Sequence, residues 1–220
     1  VNSSITRAEF LTVLYRVVQN YISADALTSG TQGGSMLKGS GFLSYISTGK
    51  VWFDCSAESV TLSGIKADTL TLRNHKLTSL SVNNGSDLSR LVIAVGAGNV
   101  SLDKLGISEI GQLRLESCAS ASIGSNVGSV EITGSGIPVS LSGKHESLII
   151  TGSNNTVTLS PDVSLSRLKI TGENNIIKSA DNAVPNSSIS CGEIEVLGKA
   201  NTLTFNNSSE APCSITIGGT

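Results

Sequence analysis

The chain has 220 residues, a formal net charge of −2, 15% charged residues and 4% aromatic residues. It has no Lys/Arg cluster able to neutralise a row of phosphates, so we expect no nucleic-acid partner. It also has no apolar run long enough to cross a bilayer, so we expect no membrane span in this chain.

Residues 1–22 are predicted to form an amphipathic helix. Thr6 can cap the first turn while Glu9 reaches back to it, and Ile5 and Phe10 occupy the positions of a hydrophobic staple. Further apolar residues recur at helical spacing and form one stripe with Phe10: Val13, Leu14, Val17, Val18 and Tyr21. Such a stripe must pack against something, and we expect the helix to cap the open end of the repeat region that follows.

The text Ile5-Thr6-Arg7-Ala8-Glu9-Phe10 resembles the signature of the S-layer homology family, the cell-wall-binding modules of bacterial surface proteins. In that family this sequence motif begins the second helix of the module, and the arginine of the motif contacts an anionic secondary cell-wall polysaccharide. The resemblance implies a partial module in which Arg7 contacts that polysaccharide through the complete parent protein. It also implies a secreted, extracellular protein of the bacterial cell wall or cell surface. A guanidinium beside a helix N-terminus suits such an anion.

Residues 23–50 are rich in Gly, Ser and Thr, and they are predicted to be a linker or an irregular first coil. Apolar side chains for such a coil are available at Phe42, Leu43, Tyr45 and Ile46.

Residues 51–220 contain a repeat in which each copy holds two apolar-x-apolar triplets. The first triplets begin at Val51, Leu70, Leu91, Leu113, Val130, Leu148, Leu168 and Ile194. Strand spacing alone would also fit a sandwich or a barrel. Equivalent Gly- and Asn-rich turns, such as residues 151–155 and 171–175, favour stacked and equivalent coils. We therefore predict a right-handed parallel β-helix, a β-solenoid of about eight coils, because parallel crossovers are nearly always right-handed.

Alternation places the flanking residues of each triplet inward and the middle residue outward. One inward column is predicted to contain Leu72, Ile93, Leu115, Ile132, Ile150, Ile170 and Val196. The first triplets are predicted to point outward with Trp52, Thr71, Val92, Arg114, Glu131, Ile149, Lys169 and Glu195. Two charge pairs, Arg114 with Glu131 and Lys169 with Glu195, would then lie on neighbouring coils.

The middle residues of the second triplets form a predicted hydroxyl ladder: Thr61, Ser81, Ser101, Ser122, Ser140, Thr158 and Thr204, interrupted by Lys178. Ser and Thr suit exposed strands and avoid like-charge stacking, which is a purely structural explanation. The alternatives are a hydroxyl surface that binds glycans or one that binds ice. A host or neighbour protein is a further candidate partner of the chain as a whole. The serines and Lys178 depart from the Thr-x-Thr array that would favour ice.

No catalytic, cofactor-binding or metal-binding residue is predicted. His75 and His145 are expected in separate polar turns, and the cysteines lack the spacing of a zinc site. Cys191 and Cys213 are expected one coil apart, either bridged or as stacked thiols. The sequence predicts a non-catalytic, wall-associated structural or adhesive rod. The alternative is a carbohydrate-binding or carbohydrate-active β-helix enzyme, of the polysaccharide lyase or glycoside hydrolase type.

Overall fold

The computed structural model describes residues 23–30, 34–39, 41–44, 47–74, 76–83, 85–96, 98–102, 109–124, 127–180, 189–204 and 214–218. Within these ranges the chain forms strands and no helix. The predicted helix of residues 1–22, with Arg7, lies outside them. The strands are β1 (Ser23–Gly30), β2 (Gly34–Gly39), β3 (Phe42–Ser44), β4 (Ser47–Cys55), β5 (Ser59–Ser63), β6 (Lys66–Asn74), β7 (Ser79–Asn83), β8 (Asp87–Gly96), β9 (Asn99–Leu102), β10 (Glu109–Leu115), β11 (Ser120–Ile123), β12 (Val127–Ile132), β13 (Pro138–Leu141), β14 (Lys144–Ile150), β15 (Thr156–Leu159), β16 (Ser164–Ile170), β17 (Ile176–Ser179), β18 (Ser190–Val196), β19 (Thr202–Thr204) and β20 (Ser214–Ile217).

The strands form three sheets that follow the repeat. The long sheet has eleven strands, in the order β1-β2-β4-β6-β8-β10-β12-β14-β16-β18-β20. A six-stranded short sheet runs β19-β17-β15-β13-β11-β9, and a three-stranded sheet runs β3-β5-β7. From β2 to β20, neighbouring strands of the long sheet are parallel, whereas β1 pairs with β2 in the antiparallel sense. The fold is thus an all-β parallel β-solenoid of about seven turns, which confirms the predicted class.

The predicted inward column is confirmed strand by strand. Successive members are register partners along the long sheet: Leu72, Ile93, Leu115, Ile132, Ile150, Ile170 and Val196. The first six have no exposed surface, and Val196 near the end of the stack is 8% exposed. Because each coil buries its apolar residues on the next, the core extends along the axis of the solenoid.

A second inward column lies closer to the start of each long strand. It contains Ala67, Leu88, Ile110, Val127, His145, Leu165 and Cys191, which are all buried. The alternation of inward and outward residues is broken next to this second column. In β14, for example, His145 and Leu148 are buried, whereas the two consecutive residues between them, Glu146 and Ser147, point outward. The same break recurs in β10 and β16, so it forms a stacked kink. His145 is therefore a buried strand residue, and its expected position in a polar turn is wrong.

Buried asparagines hold one corner of the solenoid together. The Asn175 side-chain amide donates to the carbonyl oxygen of Gly152 at 3.1 Å, and its Oδ1 accepts from the backbone nitrogen of Asn155 at 2.9 Å. Asn155 and Asn175 have no exposed surface, and each follows an asparagine with positive φ. Gly172 stacks on Gly152 so closely that an added Cβ would overlap its carbonyl oxygen. The predicted turns therefore occupy equivalent corners in successive coils.

The segment 23–50 contributes strands to the solenoid. β2 pairs with β4 and β3 pairs with β5, both in parallel, and Leu43 is fully buried. Tyr45 and Ile46 lie outside the described residues.

Candidate functional site: two outward faces

The predicted hydroxyl ladder lies in register on the face opposite its buried neighbours. In the short sheet the register partners run Ser101, Ser122, Ser140, Thr158, Lys178 and Thr204. Thr61 pairs with Ser81 in the separate three-stranded sheet. The ladder is exposed or half-buried, whereas flanking residues such as Val157 and Leu159 are completely buried. The structure therefore brings the predicted residues together as two rows.

A second outward column flanks this ladder and was missed by the sequence analysis. It contains Asn99, Ser120, Pro138, Thr156, Ile176 and Thr202, each lying two residues before a ladder residue. The Ser120 hydroxyl donates to Oδ1 of Asn99 at 2.7 Å. The sequence does contain a signal for this column. The residue before each second triplet lies two positions before the middle residue of that triplet, and side chains two positions apart in a strand share a face.

The two columns surround an open depression of about 220 Å³ in the short sheet. Its lining includes Ser101, Ser122, Ser140, Thr156, Thr158 and Pro138. Parallel strands place successive hydroxyls about 4.8 Å apart, and each hydroxyl can donate one hydrogen bond and accept others. This surface can therefore exchange hydrogen bonds with a polyhydroxylated ligand lying along the stack.

The long sheet presents a charged outer face. The predicted pairs are present: an Arg114 nitrogen lies 3.9 Å from a Glu131 oxygen, and Nζ of Lys169 lies 2.9 Å from a Glu195 oxygen. Two further arginines approach the same carboxylates at 2.9 Å, Arg90 to Glu131 and Arg167 to Glu195. Arg90 and Arg167 are not middle residues of triplets, since they precede Leu91 and Leu168 in a separate outward column, and they were therefore not among the predicted pairs.

The ion pairs alter the titration of Glu195. The hydrogen bond from Lys169, followed by the one from Arg167, holds the pKa of Glu195 below its ordinary value. Both carboxylates are therefore engaged in structural pairs, Glu131 on β12 and Glu195 on β18. Pairing across coils favours the observed register.

Val92 departs from its predicted environment. It holds the outward position between Thr71 and Arg114, yet it is only 8% exposed. It does not belong to the interior core cluster. Val92 therefore lies on the outer face of the long sheet, as alternation predicted, but its apolar side chain is buried there.

The buried histidine and cysteines occupy the solenoid interior. The His145 ring lies between two backbone carbonyl oxygens, with Nδ1 2.7 Å from Val127 and Nε2 2.9 Å from Ser142. Cys55 and Cys118 are buried thiols, and burial raises the pKa of Cys118 to about 11. A high thiol pKa leaves little of the nucleophilic thiolate at neutral pH.

Cys191 is also buried as a thiol, and its Sγ donates to the Glu193 carbonyl oxygen at 3.3 Å. Cys213, its expected neighbour one coil away, lies outside the described residues, so the pairing of these two cysteines stays a prediction.

No three His, Cys, Asp or Glu residues within the described ranges are grouped so that they could hold a metal ion. In the same ranges no helix is long and apolar enough to span a membrane. Comparisons with protein-family models, with curated proteins and with solved structures find no match to this chain.

Proposed function

We propose that this chain belongs to a non-catalytic, extracellular protein of the bacterial cell surface, in which the solenoid is a wall-associated structural or adhesive rod. The observation that supports this proposal is the unbroken column of buried, in-register residues from Phe53 through Ile150 to Val196. A core of this kind grows in length rather than in radius. Ten parallel strands from β2 to β20, about 4.8 Å apart, give a stack on the order of 40 Å long.

Attachment is proposed to reside in the N-terminal segment, residues 1–22. The resemblance of the text around Arg7 to the S-layer homology signature supports contact with a secondary cell-wall polysaccharide in the complete parent protein. The same helix would cap the N-terminal end of the solenoid with its stripe of Phe10, Leu14 and Val17. We also infer right-handed winding, because parallel crossovers are nearly always right-handed.

The second candidate function is carbohydrate binding on the hydroxyl ladder. The open depression lined by Ser122, Ser140 and Thr158 supports it, because its hydroxyls recur at one spacing along the stack. A carbohydrate-active enzyme would need convergent carboxylates as well. The carboxylates Glu131 and Glu195 lie on the long sheet and pair with arginine or lysine, which favours passive binding over catalysis.

A sedimentation assay tests wall association. The complete parent protein is mixed with purified sacculi that retain their secondary polymer, and the bound fraction is compared with that of its Arg7→Ala variant. The matched control is Arg73→Ala, since Arg73 is an exposed arginine on β6. If Arg7 is a polysaccharide contact, Arg7→Ala abolishes sedimentation without lowering the melting temperature, and Arg73→Ala changes neither.

The capping role of the same helix predicts a different result. Phe10→Ala would then lower stability by about 3–5 kcal/mol, the range for a buried phenylalanine, while Arg7→Ala would leave stability unchanged. Sedimentation that is absent, or that is equal in Arg7→Ala and Arg73→Ala, would contradict the wall-binding proposal.

The carbohydrate alternative is tested on soluble cell-surface oligosaccharides by titration calorimetry. Ser140→Leu removes a hydroxyl from the middle of the depression, and Thr61→Leu makes a similar change in the separate three-stranded sheet. Binding that is lost in Ser140→Leu but kept in Thr61→Leu would support a glycan site there. Equal binding by both variants would exclude it.

A further inference from the structure

Two outward columns run along the middle of the long sheet, on either side of the buried column that contains Leu148. Their members are register partners from β8 to β18. The first column contains Arg90, Gln112, Ser129, Ser147, Arg167 and Glu193, and the second contains Val92, Arg114, Glu131, Ile149, Lys169 and Glu195. We call these two columns the charged face. The strands at its centre, β14 and β16, are flanked by described residues on both sides.

The sign of the charge on this face depends on the strand. β8 and β10 each contribute one arginine, β12 one glutamate, β14 no charge, β16 two cations and β18 two glutamates. The ion pairs form on one side of β14 or the other, as between Arg90 and Glu131 and between Lys169 and Glu195. In both groups the cations lie nearer to β1 than the carboxylates do. The charged face therefore carries two dipoles that point the same way along the stack.

A second copy that lay on this face in the opposite direction would place opposite charges against each other. If a twofold axis passes through Leu148, perpendicular to the sheet, β12 faces β16 of the second copy and β10 faces β18. Glu131 then faces Arg167 of the second copy, and Arg114 faces Glu193. Opposite charges placed across a contact accelerate association and fix its register.

The neighbouring registers do not have this complementarity. An axis between β12 and β14 would place β10 against β16, and so an arginine against two cations. An axis between β14 and β16 would place β12 against β18, and so a glutamate against two glutamates. Like charges in direct opposition across a contact cost free energy. The charges therefore favour the axis at β14.

The centre of the charged face permits close approach. Ser147 and Ile149 lie on either side of the proposed axis, both are half-buried, and neither is charged. The small side chain of Ser129 lies beside them on β12. Glu116 and Glu146 also point outward, but they lie at the margins of the face, outside the two columns. An uncharged centre with a polar rim is the usual composition of a protein interface.

We propose that the charged face binds the charged face of a second copy of this chain in the antiparallel sense, about a twofold axis at Leu148. Because an isologous contact uses the same surface on both copies, the assembly closes at two solenoids lying side by side. The pairing goes beyond the proposed attachment to the cell wall and does not depend on it.

Sedimentation-equilibrium centrifugation over a wide range of protein concentrations tests the proposal. The unmodified chain is expected to reach the mass of a dimer. Ser129 would face Lys169 of the second copy, so Ser129→Lys should weaken dimerisation by at least about tenfold, whereas Ser129→Glu should dimerise at least as tightly as the unmodified chain. The control Thr158→Lys places the same charge on the short sheet and should still dimerise.

The effect of these two variants on the fold has the opposite sign. The Ser129 hydroxyl lies 3.4 Å from Oε2 of Glu146, and Glu131 follows on the same strand. A lysine at position 129 is therefore attracted to its own chain, and a glutamate is repelled. Loss of the dimer in Ser129→Lys cannot result from a weakened fold, and circular dichroism should show the same strand content in both variants.

Salt and cross-linking test the electrostatic origin and the register. Dimerisation should weaken in about 1 M salt, where the Debye length is about 3 Å. A short bismaleimide should cross-link Ser147→Cys beside the axis. It should not cross-link Thr71→Cys above the background of the unmodified chain, because Thr71 lies four strands from β14 and the two copies of it would be about 38 Å apart along the stack.

Four results would overturn the proposal: a monomer at every concentration, a dimer that Ser129→Lys leaves unchanged, a dimer that tightens in high salt, or equal cross-linking of Ser147→Cys and Thr71→Cys.

Discussion

Truncation of Ile150 to alanine, with Ile149→Ala as its matched control, tests the assignment of inner and outer faces. The two isoleucines are adjacent in β14, but Ile150 has no exposed surface and Ile149 is half-buried on the outer face. Each change removes the same atoms from the same strand. The difference in their effects therefore reports only which face each residue occupies.

The expected loss follows from the buried hydrocarbon. Isoleucine has three more carbon atoms than alanine, and burial of each stabilises the fold by about 0.8 kcal/mol, or roughly 2.4 kcal/mol in total. A cavity inside a tightly stacked coil adds to this, so we expect Ile150→Ala to lower the free energy of unfolding by about 3–4 kcal/mol. Ile149→Ala should cost less than about 1 kcal/mol, because its side chain already contacts water.

Urea denaturation followed by far-ultraviolet circular dichroism measures both values. The dependence on urea should be the same for both variants and the unmodified chain, since a change in this slope would indicate a different unfolding reaction. Equal losses for the two variants, or a larger loss for Ile149→Ala, would refute the assignment of faces.

Three further predictions concern the corner, the phase of the strands and the ion pairs. Gly172→Ala should destabilise the chain strongly in thermal melts, because its Cβ would overlap the Gly152 carbonyl oxygen, whereas Gly49→Ala should be mild because its Cβ would come no closer than 3.4 Å to Asp68 Oδ2. Ile150→Asp should cost more than about 4 kcal/mol by burying an unpaired charge, while Thr158→Asp on the outer ladder should stay within about 0.5 kcal/mol in urea denaturation. Because the pKa of Glu195 is lowered in the fold, its contribution is present above its unfolded pKa and is lost as the pH falls through its folded pKa. Glu195→Gln should therefore lower the melting temperature more at neutral pH than at about pH 3, and an equal effect at both pH values would contradict the prediction.

The inward column and the corners could be predicted because both depend on local rules that every coil repeats. Alternation within the triplet at Leu148 places Ile150 inside, and neighbouring coils must match it to bury their own faces. The turns at Gly152, Gly172 and Gly198 recur because the corner needs a glycine without a side chain and a residue in the left-handed region, which is Asn154, Asn174 and Ala200 in turn.

The rest of the long sheet could not be predicted from alternation. Strands β6, β10, β14 and β16 contain a stacked kink, such as Glu146-Ser147, where two consecutive residues point outward. If strict alternation is extended from Leu148 toward the start of β14, His145 is therefore assigned to the outer face, although it is buried. The ion pairs of Arg90 and Arg167 could not be predicted for a related reason, since the triplet pattern places only its middle residue on the outer face.

The hydroxyl ladder could be predicted as a surface but not as a binding site. Its middle residues follow from alternation, yet the depression also requires the flanking column of Ser120, Pro138 and Thr156. A binding site depends on which side chains of neighbouring strands leave space between them, and alternation along one strand does not give that.

If outward residues form one in-register row along a rigid stack, pulsed electron paramagnetic resonance should measure distances between them that are multiples of the strand spacing. Spin labels are placed by cysteine substitution at Ser101 with Lys178, and at Ser101 with Thr204, after the native cysteines are replaced by alanine. These pairs lie four and five strand spacings apart in the short sheet, so backbone separations of about 19 Å and about 24 Å are expected. A rigid, in-register stack should give two narrow distance distributions that differ by about one strand spacing. Broad distributions, or a second distance no longer than the first, would contradict it.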